Sequence, residues 1–266
     1  MRDIGPEVDR MAKELGGTVS VAVRDIKNAF NFDYHESERV WSASTIKIPI
    51  LVEAVRRLGE GTVSLDTPFS LDDEDRTPGS GVLRYMHGGM PLTYKDLMVL
   101  MVITSDNLAT NMLIDYLTPA RITATMRRFG YTRTEVQRKL YDYEGMERGL
   151  DNWIAAGEIA DLCRRVYLKQ AAGGEWDELA LEIMGWQLDK ERLRLLLPDA
   201  AQVANKPGER EMTMHDGGIV STGGFCYSIC VTTHGWQCRS DAFMTIARLS
   251  RLVYDAADES ARCANG

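Results

Sequence analysis

The sequence predicts an α+β fold in which a helical middle is inserted into one antiparallel sheet. Three observations carry this expectation. Short β-branched runs sit at both ends of the chain, apolar residues at helical spacing fill the middle, and glycines divide the last third into short strand-like pieces. Taking the elements in order, Pro6 to Leu15 places Val8, Met11 and Leu15 near one helical stripe, and Gly16-Gly17 stops it. Thr18 to Val23 alternates as a strand, and Asn28 to Tyr34 can fold back on it. Ser44 to Leu58 reads as a mostly apolar, buried helix in which Pro49 is tolerable because it lies near the start.

Thr93 to Arg128 is helical and rich in Met and Leu, read as core filling rather than a cofactor site. Asn152 to Tyr167 and Trp176 to Leu188 read as further helices. Ala201 to Ala204, Gly218 to Ser221 and Cys226 to Thr233 are the late strands, and Ser240 to Ala257 is an amphipathic helix. Two early and three late strands make a five-stranded sheet flanked by the first and last helices. The predicted domains are therefore residues 1–38 with 200–266 for the sheet and 39–199 for the helical part. A cleft between them is a natural place for a small molecule.

The 266 residues are enough to bury a core without a metal or disulfide staple. A formal net charge of −8 supplies no broad basic field for nucleic acid or an anionic membrane. No apolar run is long enough to span a bilayer. The five cysteines match no zinc spacing, and Cys226 and Cys230, four apart on a strand, read as packing residues. His35, His87, His215 and His234 form no metal pattern, so neither metal nor cofactor is expected. With no signal peptide in the chain as it stands, the expectation is a cytoplasmic protein, or an exported one if a leader has been removed. Oligomeric state is left open.

The chemistry lies in three short motifs. Ser44-Thr45-Ile46-Lys47 puts a serine and a lysine one helical turn apart. A serine hydroxyl needs a base within reach, and lysine serves only if burial or positive charge lowers its pKa. By itself such a step is common, with the serine merely capping a helix. It is followed by Ser105-Asp106-Asn107, between two helical stretches, and by Lys206-Pro207-Gly208, at the end of a strand-like run.

In this order the motifs resemble the Ser-x-x-Lys, Ser-Asp-Asn and Lys-Thr-Gly set of the class A β-lactamase and penicillin-binding-protein superfamily. Val40-Trp41-Ser42-Ala43 and His215-Asp216-Gly217-Gly218-Ile219-Val220 resemble that family too, and the likeness runs over essentially the whole chain. It implies a β-lactamase-like fold and an acyl-enzyme on Ser44, with Lys47 helping to remove its proton. It also implies that Ser105 relays the proton to the leaving nitrogen and that Asn107 holds the substrate amide and Lys47. Lys206 would line the cleft facing Lys47 and Ser105, with Asp106 structural. The oxyanion hole would be the N–H groups of Ser44 and of Glu209, beside Gly208.

Two departures stand out. Pro207 replaces the family's threonine and offers neither hydroxyl nor N–H to a substrate carboxylate. The Glu-x-x-Leu-Asn that activates the deacylating water is absent. Within Arg138 to Glu147, Glu144 is the best substitute and Asp142 the next. Tyr141 and Tyr143 read as surface or packing residues, with a place in the cleft wall as the alternative. Three functions follow as expectations: a hydrolase of a small-molecule lactam, amide or ester with slow deacylation, a transacylase or transpeptidase using an amine acceptor, or a non-catalytic domain that binds penicillin-like or peptide ligands.

Overall fold

Helix α1 (Gly5–Leu15) ends where Gly16 adopts a left-handed φ of 70°, a conformation that costs glycine little. The computed structural model describes residues 2–27, 30–72 and 76–265. β1 (Thr18–Asp25), β2 (Asn31–Tyr34) and β3 (Val40–Trp41) follow, then a 3₁₀ turn over Ala43–Ile46 and α2 (Lys47–Gly59). The expected strand start at Asn28 lies outside the described residues. The middle holds β4 (Pro68–Ser70), β5 (Pro91–Thr93), α3 (Tyr94–Ile103), α4 (Asn107–Leu117), α5 (Pro119–Arg128) and α6 (Tyr143–Glu147). After β6 (Trp153–Ile154) come α7 (Ala156–Tyr167), α8 (Gly174–Gly185), β7 (Gln202–Arg210), β8 (Thr213–Ser221), β9 (Cys226–His234) and α9 (Arg239–Asn265).

Five strands form one antiparallel sheet in the order β2-β1-β9-β8-β7, as the sequence predicts. Alternation sorts its two faces. Val19, Val21 and Val23 of β1 and Tyr227, Ile229 and Val231 of β9 join α1 and α9 in one apolar cluster. Ala22 and Cys230 point the other way, into the larger cluster built on α2, α3, α4, α7 and α8. Cys226 packs against that same cluster, so both cysteines are packing residues. Helix α7 approaches the sheet closely: a Cβ at Gly217 would lie 2.9 Å from Ile159 Cγ2, and Ser228 Oγ donates to Ala160 O at 2.7 Å.

Three local expectations need correction. The Ser44–Lys47 step is a 3₁₀ turn, and the α-helix begins only at Lys47. The 3₁₀ repeat of three residues superimposes positions i and i+3, so the shared face survives. Residues 153–154 are a strand rather than helix, because Trp153 and Ile154 pair with Trp41 and Val40. Lys206-Pro207-Gly208 lies inside β7, held there by its ladder with β8, rather than at a strand end.

Candidate active site

Ser44 sits on the 3₁₀ turn after Ala43, whose φ is +44°. Such a φ strains a residue with a Cβ, as do the +55° of Ser105 and the +60° of Tyr141, and all three residues border one cleft. The turn is tied down from behind. His215, fully buried in β8, accepts from Thr233 N–H on Nδ1 at 3.2 Å and donates from Nε2 to Trp41 O at 2.7 Å. Burial pushes this imidazole down to about 4, which keeps it the neutral ring that this pair of bonds requires.

The cleft has two lobes, of about 310 Å³ and about 480 Å³, that meet at Ser44, Ser80 and Glu209. Lys47 is fully buried below Ser44. Its Nζ donates to Ser105 O (2.7 Å), Ser105 Oγ (3.0 Å) and Asn107 Oδ1 (2.8 Å). An ammonium has three protons, and these acceptors take all of them. To receive a proton from Ser44, Lys47 must first be neutral. Burial drives its pKa well below the ordinary lysine value and the charge of Lys206 lowers it further, while Asp106 opposes both.

Lys206 lines the larger lobe with Ser105 and Ser44, and burial lowers its ammonium to about 7. Lys206→Ala should shift the rising limb of Ser44 acylation to higher pH. The sign follows from the roles: acylation rises as Lys47 loses its proton, and removing a neighbouring cation raises the Lys47 pKa. A pH–rate profile that stays in place or moves down would show that Lys206 does not tune the base.

Asp106 supports the second motif from inside. Its Oδ1 accepts from Leu108 N and Ala109 N, capping α4, while Oδ2 accepts from Val82 N at 2.6 Å and Leu83 N at 2.8 Å. Gly81 makes the second pair possible: with a φ of +110°, it lies where a Cβ would fall 2.3 Å from Asp106 Cγ. Asn107 Nδ2 donates to Pro78 O at 3.0 Å, so both of its polar atoms are held.

The third motif approaches equally closely. A Cβ at Gly208 would sit 2.6 Å from Thr45 N and 2.8 Å from Ser44 N, so only glycine lets β7 lie against the nucleophile turn. β7 is an edge strand, where proline fits if its missing N–H would face away from the neighbour. Alternation turns the N–H of Glu209, two residues on, the same way.

Ser44, Lys47, Ser105, Asn107, Lys206, Gly208 and Glu209 therefore converge. Glu144 does not. It is exposed on α6 and lines neither lobe at Ser44, while Asp142 caps α6 by accepting from Gly145 N at 2.9 Å. The loop instead brings Leu140, Tyr141, Tyr143 and Met146 to the smaller lobe, so both tyrosines wall the cleft rather than serving only the surface. The Arg138–Asp151 ion pair (2.6 Å) closes the base of this loop. Arg192 and Arg239, which line the larger lobe, are cleft residues that sequence reasoning missed, since neither stands in or beside a motif.

A family model described as the β-lactamase enzyme family matches residues 4–257. The chain belongs to this family. Among curated relatives, a β-lactamase of Rhodobacter capsulatus is 28% identical over 156 residues, covering 57% of this chain and 53% of that protein. The chain thus aligns with about half the length of that relative. Among solved structures, a β-lactamase from Sphaerobacter thermophilus superimposes with a TM-score of 0.89 at 24% identity, over 97% of this chain and 98% of the other. PBP-A gives 0.87 at 23%, over the same shares. These likenesses show the β-lactamase fold, the one that the three motifs imply. Among the described residues, no group of His, Cys, Asp and Glu could hold a metal ion, and no helix is long and apolar enough to cross a membrane.

Proposed function

We propose that this member of the β-lactamase family is a serine acyl-transfer enzyme that opens β-lactams or related amides and esters through an acyl-enzyme on Ser44. The observation that carries the reading is Lys47, buried with no ion-pair partner among the described residues, beneath the serine and bonded to Ser105 and Asn107. Burying an ammonium costs several kcal/mol, and a domain that only binds ligands has no use for that cost. In the proposed step, neutral Lys47 takes the proton of Ser44 as Oγ bonds to the carbonyl carbon. The N–H groups of Ser44 and Glu209 hold the oxyanion. The proton then passes by way of Ser105 Oγ to the leaving nitrogen, and the C–N bond breaks.

Release by water is the slow step in this reading. Of the carboxylates lining the smaller lobe, Asp151 is paired with Arg138 and Arg210, Glu209 is paired with Arg192 and Arg239, and Glu211 is exposed. The wall itself is Leu140 and its apolar neighbours. The same wall favours a second reading, in which an amine rather than water accepts the acyl group. Mixing with a penicillin or an activated ester should give a one-equivalent burst and a Ser44 adduct that persists on an intact-mass spectrum. Linear hydrolysis without a burst, at about 10 per second or more, would refute slow deacylation. No adduct and no hydrolysis with either reagent would refute the enzyme.

Leu140→Glu tests the wall. The backbone N–H and C=O of Leu140 are both held by the Asn111 side chain, at 2.7 and 3.0 Å, so a carboxylate there would be well placed. Adduct lifetime should fall by about a hundredfold, with acylation little changed. Glu144→Gln should change neither rate. A slower release in Glu144→Gln would return the base to Glu144.

A further inference from the structure

The larger lobe has two arginines beside Ser44, Arg192 and Arg239, and one side chain already occupies both. The carboxylate of Glu209 accepts from Arg239 Nε and, at 2.7 Å, from Arg239 Nη2, the two-pronged geometry of an arginine–carboxylate pair. Its Oε2 also accepts from Arg192 Nη2 at 2.7 Å. Arg192 Nη1 also donates to Asp189 and the guanidinium lies over the Phe243 ring, while its buried Nε has no hydrogen-bond partner among the described residues. Across the lobe, the carboxylates of Asp189, Glu191 and Glu209 face Arg192, Arg239 and the buried Lys206. Its position makes the arrangement functional: Glu209 stands at the junction of the two lobes, one residue beyond the glycine that touches the nucleophile turn.

We infer that the Glu209 side chain acts as a built-in carboxylate on the two arginines of the larger lobe, so the cleft favours acyl donors whose leaving-group end is uncharged, an ester or a primary amide, over those with a free carboxylate. The inference rests on reading the Ser44 cleft as an acyl-donor site. A second, independent observation points the same way, since Pro207 removes the hydroxyl and N–H that a substrate carboxylate could use. To pair with these arginines, a substrate carboxylate must displace Glu209 from both guanidinium groups. One arginine side chain is only 5% exposed, and the other is 60% exposed. Such a substrate therefore gains little from either. A neutral group leaves the three-way pair intact and uses the space beside Lys206.

The test compares benzylpenicillin with its methyl ester, binding at equilibrium to Ser44→Ala protein so that no acylation intervenes. With Glu209 in place, the acid should bind no more tightly than the ester in titration calorimetry. Adding Glu209→Gln, and separately Glu209→Ala, should tighten the acid about tenfold or more and leave the ester nearly unchanged, because Arg239 and the Nη2 of Arg192 are then open to a carboxylate. An acid preference of about tenfold with Glu209 present would overturn the inference. An acid-to-ester ratio that neither substitution moves would also overturn it, and absence of binding throughout counts the same way. Labelling of the intact protein judges the acyl-enzyme separately. A carboxylate gain without Ser44 labelling would leave Glu209 in its role and remove the acyl-enzyme.

Discussion

Ser44→Ala is expected to abolish covalent labelling by every acylating reagent, a fall of about a thousandfold or more in the acylation rate. The hydroxyl is the only atom removed. The 3₁₀ turn keeps its backbone bonds and its tie through Trp41 to His215, so the melting temperature should barely move. Persistent labelling, mapped by peptide digestion to another residue, would sink the assignment. The companion Lys47→Ala leaves the nucleophile and removes its base, so acylation should fall steeply and lose its rising limb near neutral pH. If that limb survived, some other group would be taking the proton.

The largest loss of stability should follow Asp106→Ala. Four backbone N–H groups, two on α4 and two on the loop at 82–83, donate to this one buried side chain. Hydrogen bonds to a charged group contribute about 1.5–3 kcal/mol each, and donors left unmet in the interior add their own cost. A loss of at least about 3 kcal/mol is therefore expected, or roughly 6–12 °C in melting temperature for a chain of this size. Asp106→Asn should be nearly as costly. An amide can cap α4 through its oxygen, but its nitrogen then faces the Val82 and Leu83 donors and cannot accept from them. A melting temperature unchanged in Asp106→Asn would show that one of the two pairs contributes nothing.

Much of this protein was legible as a string. The valines of β1 alternate, the glycines after α1 end a helix, and the late runs are short and β-branched, so the five-stranded sheet and its flanking helices follow from local periodicity. The motif residues were legible because acyl transfer needs a nucleophile, a base and a second cation, and few residue types supply them. Local pattern misread the third motif. Asn205 to Arg210 is polar and contains proline and glycine, both poor in strands, and only the ladder with β8 makes it one. It misread residues 153–154 for the same reason, since their partners lie at 40–41.

The order of the chain therefore determined the family, the fold and the convergence of Ser44, Lys47, Ser105, Asn107 and Lys206. What the tertiary structure alone decided is which charges share the cleft. The exclusion of Glu144, the apolar wall at Leu140 and the hold of Glu209 on Arg192 and Arg239 join residues that carry no motif, two of them from distant elements. Backbone periodicity is a local property and can be read along the chain. The pairing of charges depends on distance in space, and only the folded chain sets that distance.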